Sequence, residues 1–229
     1  MIVLRNIHKT FSDTTAPVHV LRGISLSIGA GDMVAVMGAS GSGKTTLMQI
    51  MGGLDIPSSG EVSIGGHRID LLQEHEITRV RNREIGFVFQ FHHLLNDFTA
   101  CENIFLPGLI AHTPLKKARR RAKELLKTLG VVGRDNHYPS ELSGGEKQRI
   151  ALGRALFNEP TVVIADEPTG NLDRENTEKF LHLLRELNKN TGQTVVIATH
   201  DYEVARAMDY CLVLQNGILE KKDVPYENV

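Results

Sequence analysis

Gly38-Ala39-Ser40-Gly41-Ser42-Gly43-Lys44-Thr45 is the stretch on which the reading of this chain turns. An apolar run, Met33-Val34-Ala35-Val36-Met37, precedes it and reads as a buried strand, and a helical pattern follows from Thr46 through Met51. Set between a strand and a helix, a G-x-x-x-x-G-K-[ST] match is a cradle for phosphates. Its glycines let successive backbone N–H groups point into one concave nest. The helix start aims its free N–H groups and the positive end of its dipole at the same spot. Lys44 adds a mobile charge for the outer phosphates, and the Thr45 hydroxyl can hold a Mg2+. The expected nucleotide site is Gly38, Ala39, Ser40, Gly41, Ser42, Gly43, Lys44, Thr45 and Thr46. The competing reading is an ordinary glycine-rich turn.

Bulk properties narrow the function classes. The chain has 229 residues, 41% of them hydrophobic, enough to bury a sizeable core. A formal net charge of -1 argues against a nucleic-acid partner, which usually demands a basic excess. Cys101 and Cys211 fit no metal or redox spacing and read as buried thiols in a reducing compartment. Met1-Ile2-Val3-Leu4-Arg5 does not read as a signal peptide, and no apolar run approaches the ~20 residues that span a bilayer. These features predict a cytosolic chain with no direct membrane insertion, whose membrane association comes through a partner.

Further apolar strands lead to polar residues. Val162-Val163-Ile164-Ala165 runs into Asp166-Glu167, Ile85-Gly86-Phe87-Val88-Phe89 into Gln90, and Thr194 to Thr199 into His200. Ligands of open parallel sheets bind beyond the carboxyl ends of the strands. Asp166 is thus placed to hold Mg2+ opposite Thr45, and Glu167 to orient and deprotonate a water. Gln90 could ligate Mg2+ or that water, and His200 could bond a γ-phosphate oxygen. Taken singly, such residues are also ordinary strand terminators.

Leu142-Ser143-Gly144-Gly145-Glu146-Lys147-Gln148 opens another helix. Ser143 and Glu146 fit a capping box, a complete structural account in itself. Two glycines at a helix start also make a second anion site. One nucleotide rarely needs two cradles within one chain, so a dimer in which this one closes on the partner's nucleotide is the economical arrangement.

Together these residues resemble the ATP-binding subunits of ATP-binding-cassette (ABC) transporters, over residues 2 to about 221. The matching pieces are the Walker A loop Gly38 to Thr45, the Q-loop Gln90, the signature Leu142 to Gln148, the Walker B end Asp166 with Glu167, the D-loop Asn171-Leu172-Asp173 and the switch His200. The resemblance implies a head-to-tail homodimer with two ATPs between the subunits. Leu142, Ser143, Gly144, Gly145, Glu146 and Gln148 would then meet the nucleotide held by the partner's cradle, and Asp173 would bridge the interface or cap the next helix. Phe11 takes the place of the adenine-stacking aromatic, with a core residue as the alternative.

A finer resemblance is to the ATPase subunits of lipoprotein-releasing complexes, carried by Gln90-Phe91-His92-His93-Leu94-Leu95, Asp97-Phe98-Thr99-Ala100 and Glu102-Asn103. MacB-like and FtsE-like ATPases, which drive efflux or a non-transport machine, share much of this pattern. The His92-His93 pair points apart on a strand and has no third ligand, so a metal is not expected there. In the family this region receives the membrane subunits.

The predicted fold is α/β: a P-loop parallel-sheet core, an antiparallel β subdomain and a helical subdomain in one domain over 1–229. The β and nucleotide core covers about 1–90 and 160–229, and the helical subdomain about 91–159. Strands are expected at Ile2-Val3-Leu4, Val18 to Leu21, Ile24 to Ile28 and Glu61 to Ile64, with a polar loop from Ser12 to Pro17. Helices are expected from Ser143 to Asn158 and about Arg174 to Asn190, the second ending at Gly192, and a hairpin turns at Asn216-Gly217. Leu115, Ala118, Ala122, Leu125, Leu126 and Leu129 share one helical face, opposite a solvated basic one. The expected activity is ATP hydrolysis with Mg2+, at the cytoplasmic face of a bacterial inner membrane and coupled to integral membrane subunits.

Overall fold

The computed structural model describes residues 1–12 and 17–222. The polar loop expected between Ser12 and Pro17 falls, at 13–16, outside the described residues. In chain order the elements are β1 (Ile2–Ser12), β2 (Pro17–Ile28), β3 (Met33–Met37), α1 (Lys44–Met51), β4 (Ser59–Ile64), β5 (His67–Arg68), α2 (Glu74–Glu84), β6 (Ile85–Phe89), α3 (Ala100–Ile110), α4 (Leu115–Thr128) and α5 (Gly144–Leu156). There follow β7 (Val162–Asp166), α6 (Arg174–Thr191), β8 (Thr194–Ala198), α7 (Tyr202–Arg206), β9 (Tyr210–Gln215) and β10 (Ile218–Lys222).

The central sheet runs β10-β9-β3-β8-β7-β6. Its strands are parallel except β10, which returns antiparallel from β9 through Asn216 (φ 51) and Gly217 (φ 78). Two consecutive positive φ angles are what a tight two-residue hairpin turn requires. All five residues of β3 and of β8 are buried, because layers cover both faces of a parallel sheet; the one polar side chain among them, Thr194, accepts a hydrogen bond from the Gly31 N–H at 2.9 Å. Val34, Val36 and Val196 pack with Leu47 and Ile50 of α1 and with Ile2 and Leu4 of β1. Met33, Ala35, Met37, Val195 and Ile197 pack into the opposite layer, with Phe180 and Leu184 of α6.

A second, antiparallel sheet has the order β2-β1-β4-β5. The separate strands expected at Val18 to Leu21 and Ile24 to Ile28 are one continuous strand, β2. Register shifts between β1 and β2, with Asn6 at φ 50 and Gly23 at φ 80, break the alternation that would have marked them as long strands.

Helices α3, α4 and α5 pack against one another, with Ala118, Ala122, Leu125 and Leu126 of α4 buried. Leu115, expected on the inward face, is 52% exposed in the first turn of its helix. The basic face of α4 is solvated, and its charges pair across the surface as Arg120–Glu124, Arg121–Glu159 and Lys123–Asp135. Cys101 and Cys211 are free and buried. Among the described residues, no helix is long and apolar enough to cross a membrane.

Candidate functional site

Parallel pairing puts the carboxyl ends of β3, β6, β7 and β8 on one edge of the sheet. A cavity of about 630 Å3 opens there, lined by Ser40, Gly41, Gly43, Lys44, Thr45 and Thr46 from the loop and α1, by Gln90, Asp166, Glu167 and His200 from the other strand ends, and by Val20 of β2. Gly38, Ala39 and Ser42 line an adjoining cavity of about 500 Å3 together with Ser40 and Gly41.

The start of α1 is built for an anion. Its N-cap is Gly43 in the left-handed region (φ 100), and no side chain caps it. Neither glycine tolerates a side chain. A Cβ on Gly43 would lie 2.8 Å from Val20 Cγ1, and one on Gly38 would lie 2.5 Å from the Leu214 carbonyl oxygen. Lys44 is 9% exposed and folds back over the loop, its Nζ donating to the carbonyls of Gly38 (2.8 Å) and Ala39 (3.3 Å). The same ammonium stands 4.0 Å from Glu167 Oε1. A buried cation hydrogen-bonded to neutral carbonyls, with its nearest carboxylate only at the edge of ion-pair distance, has electrostatic capacity for a ligand of opposite charge.

The Asp166 carboxyl lies beside the Thr45 hydroxyl at the cavity. Burial pushes that carboxyl above the usual range, against the pull of the hydroxyl and of the Lys44 charge. Thr45 Oγ1, the Asp166 carboxylate and the amide oxygen of Gln90 are hard oxygen donors of the kind Mg2+ prefers, so the residues fit that ion. Glu167 follows at φ 48, a conformation rare for a side-chain-bearing residue. Its backbone N–H donates to Ala198 at 2.9 Å, which ties the end of β7 to β8. Its Oε1 lies 3.0 Å from Nδ1 of His200, whose side chain is 74% exposed.

The second glycine pair is elsewhere. None of Leu142 to Gln148 lines the cavity at the sheet edge. Ser143 caps α5 in a full box: its hydroxyl accepts from the Glu146 N–H at 3.3 Å, and its own N–H donates to Glu146 Oε2 at 2.8 Å. The Ser143 N–H and hydroxyl, which donates to Oε2 at 2.9 Å, together with Arg134 donating to Oε1 at 2.7 Å, hold the Glu146 carboxyl down at about 2. A Cβ on Gly145 would meet Asn176 Oδ1 at 2.6 Å, so this glycine also serves the close approach of α6. Ser143 and Gly144 are exposed.

Leu142 and Gln148 differ in burial from Ser143 and Gly144 at this helix start. Leu142 (5% exposed) belongs to the core, and Gln148 (0%) lies under the end of β6, with Nε2 3.5 Å from the Phe89 carbonyl. Both support the helix start from beneath. Asp173 caps α6, accepting from the Asn176 N–H at 2.8 Å. Phe11 is 44% exposed, which removes the core alternative; it opposes Val18, two residues before Val20 of the cavity wall.

Sequence reasoning missed several supports of the site. Asn171 donates through Nδ2 to the Gln90 carbonyl at 3.0 Å, and Gly170 leaves room for the Gln90 amide, which a Cβ would approach to 2.8 Å. Arg154 of α5 donates to the carbonyls of His92 (2.8 Å) and His93 (2.6 Å), and so anchors the segment after Gln90. These partners are 61 to 81 positions apart, so no local pattern announces them.

Known proteins share this arrangement. The family model described as ABC transporter matches residues 21–170. The lipoprotein-releasing system ATP-binding protein LolD of Bacteroides fragilis is 48% identical over 217 residues, spanning 95% of this chain and 99% of that protein. The protein of the same name from Legionella pneumophila is 43% identical, spanning 97% and 98%. Among solved structures, the ATP-binding cassette MJ0796, a dimer in a post-hydrolysis state bound to ADP and Pi, superposes with a TM-score of 0.90 at 38% identity, over 99% of this chain and all (100%) of that one. By sequence, by fold and by the convergence of strand ends on a phosphate-binding loop, the chain belongs to the ABC transporter family, as one of its ATP-hydrolysing subunits.

Proposed function

We propose that the chain powers the release of lipoproteins from a bacterial inner membrane, as a head-to-tail homodimer attached to the cytoplasmic face of integral membrane subunits. The observation that carries the ATPase chemistry is the meeting of Lys44, Thr45, Gln90, Asp166, Glu167 and His200 at one cavity. Identity of 43% and 48% with LolD proteins over nearly the whole chain supports lipoprotein as the cargo, ahead of an efflux or non-transport machine.

Hydrolysis here is positioning and charge neutralisation. Lys44 exchanges the Gly38 and Ala39 carbonyls for phosphate oxygens, and the uncapped start of α1 supplies N–H donors. Glu167 takes the proton of the attacking water, and His200 orients that carboxylate through Oε1. Thr45, Asp166 and Gln90 would hold a Mg2+, which neutralises charge on the phosphate oxygens when bound. Phe11 stacks on the base. Ser143 and Gly144 meet the γ-phosphate in the partner's cradle, and Gly145 lets the α5 start sit close against α6.

The partner surface lies beside Gln90. Phe91 (67% exposed), Leu95 (41%) and Ile110 (59%) are unusually open for their size. A groove of about 340 Å3 between β6 and α3, lined by Leu54, Phe87, Phe89 and Pro107 among others, continues the patch. Membrane subunits that dock there would move with Gln90, because the segment between is strapped to α5.

The experiment is purification of the chain with its membrane subunits, reconstitution into vesicles carrying a labelled lipoprotein, and addition of ATP. Release of the label is expected. A complex that hydrolyses ATP and leaves the lipoprotein in place would contradict the cargo assignment.

A further inference from the structure

Lys9 is a half-buried cation outside the catalytic edge, and three contacts define its position. Its Nζ bonds Asp55 Oδ1 at 2.7 Å and donates to the Ile56 carbonyl at 2.8 Å. It also stands 4.9 Å from the centroid of the Phe11 ring. Lys9 and Phe11 are two residues apart on β1, so their side chains rise from the same face of the strand. The Lys9 side chain is 12% exposed and that of Asp55 27%, so this pair is better shielded than a surface ion pair such as Arg5–Glu61.

The pair joins two parts of the nucleotide site. Asp55 follows α1 through a short turn in which the N–H groups of Leu54 and Asp55 both donate to the Gln49 carbonyl. Asp55 is therefore fixed to the far end of the helix whose start forms the phosphate cradle. Phe11, held from one side by the Lys9 ammonium, belongs to the antiparallel sheet. A nucleoside triphosphate has a limited span from base to outer phosphate. A protein that uses both ends of it gains affinity by fixing the distance between the two contacts in advance.

We propose that Lys9 is a positioning residue for nucleotide binding: clamped by Asp55, it orients the Phe11 ring as a base platform and ties that platform to the phosphate-binding helix. The proposal rests on the reading of Phe11 as the stacking aromatic and adds what holds the ring and what it is registered against. Lys9 itself touches no part of the nucleotide.

Lys9→Met keeps the apolar stem and removes the charge, whereas Asp55→Asn keeps the shape of the acceptor and releases the clamp. Each is expected to raise the KM and Kd for ATP about 3- to 10-fold, the scale of a partly desolvated cation–π contact. In each, kcat and the affinity for inorganic tripolyphosphate, which has no base, stay at the native value. Lys9→Arg restores most of the ATP affinity. In a Phe11→Ala background, Lys9→Met adds no further loss.

Native ATP affinity in both single variants, with Phe11→Ala clearly weakened, would overturn the clamp while leaving the stacking role intact. Native affinity in Phe11→Ala would overturn the stacking role and the clamp with it. Equal weakening towards ATP and tripolyphosphate would also refute the proposal, because the effect would then lie in the phosphate cradle. Thermal melting of each variant separates these outcomes from a general loss of fold.

Discussion

Two helices of this chain, α1 and α5, have glycines at their starts, and their first turns are finished in opposite ways. Helix α1 starts at Gly43 with no side-chain cap, its lysine turned back onto the carbonyls of its own loop. Helix α5 starts at Ser143 with a reciprocal capping box, a glutamate shared between Ser143 and Arg134, and a buried glutamine beneath. A helix leaves its first N–H groups without internal partners, and water, a cap or a ligand must satisfy them. The start of α1 is left for a ligand. The start of α5 is stable on its own, and the residues it still offers outward, Ser143 and Gly144, can only add to a ligand held by something else. One loop can seize a triphosphate; the other can close over one. This asymmetry is the structural argument for a site shared between two copies.

The comparison can be broken most sharply at the α1 edge. Glu167→Gln keeps the shape and removes the base, so it is expected to bind ATP and lose about 10²–10⁴ in kcat. Steady-state hydrolysis beside equilibrium nucleotide binding reads both quantities, and near-native turnover would take Glu167 out of the chemistry. Lys44→Ala removes the one mobile charge of the cradle and is expected to weaken ATP binding about 10- to 100-fold, the worth of a charged hydrogen bond. Isothermal titration checks this, and unchanged affinity would mean that Lys44 keeps its carbonyl partners when nucleotide arrives.

At α5 the expected effect is on stability and is smaller. The Glu146 carboxyl is held at about 2, against an ordinary 4.5. A folded-state value below the unfolded one gives stability that is complete above about pH 4.5 and is lost as the pH falls towards about 2. Asp70, Glu102 and Asp173 are also held low and add to acid sensitivity in any variant. Urea midpoints at pH 7 and pH 3 should therefore draw closer together in Glu146→Gln than in the native chain. An unchanged difference would show that the capping box contributes nothing through that carboxyl.

Much of the α1 edge was legible because it is local. An apolar strand followed at once by its functional residue recurs at Met37-Gly38, Phe89-Gln90 and Asp166-Glu167, and the burial of both sheet faces makes each strand a continuous apolar word. The α5 cap was legible for the same reason, since Ser143 and Glu146 are one turn apart. Helix α3 escaped notice because it is apolar around much of its circumference and carries Pro107 inside, so no single face stands out. The five residues of α7 are too few for a periodic pattern. Long-range supports such as Arg134 to Glu146, Asn171 to Gln90 and Lys9 to Asp55 exist only once the chain has folded, and composition cannot announce them. The burial of Gln148 was not legible because motif position alone cannot distinguish the outer face of a helix from the face packed on a strand end.

The shared site is tested most directly by mixing two defective chains. Lys44→Ala disables the cradle, and Ser143→Arg blocks the opposing helix start while leaving the cradle of its own chain intact. Each homodimer then has two damaged sites. A head-to-tail heterodimer has one site with both lesions and one with neither, so the mixture is predicted to hydrolyse ATP at a rate that neither variant reaches alone. A mixture no more active than its components, at concentrations where the chains exchange partners, would contradict the sharing of the site between copies.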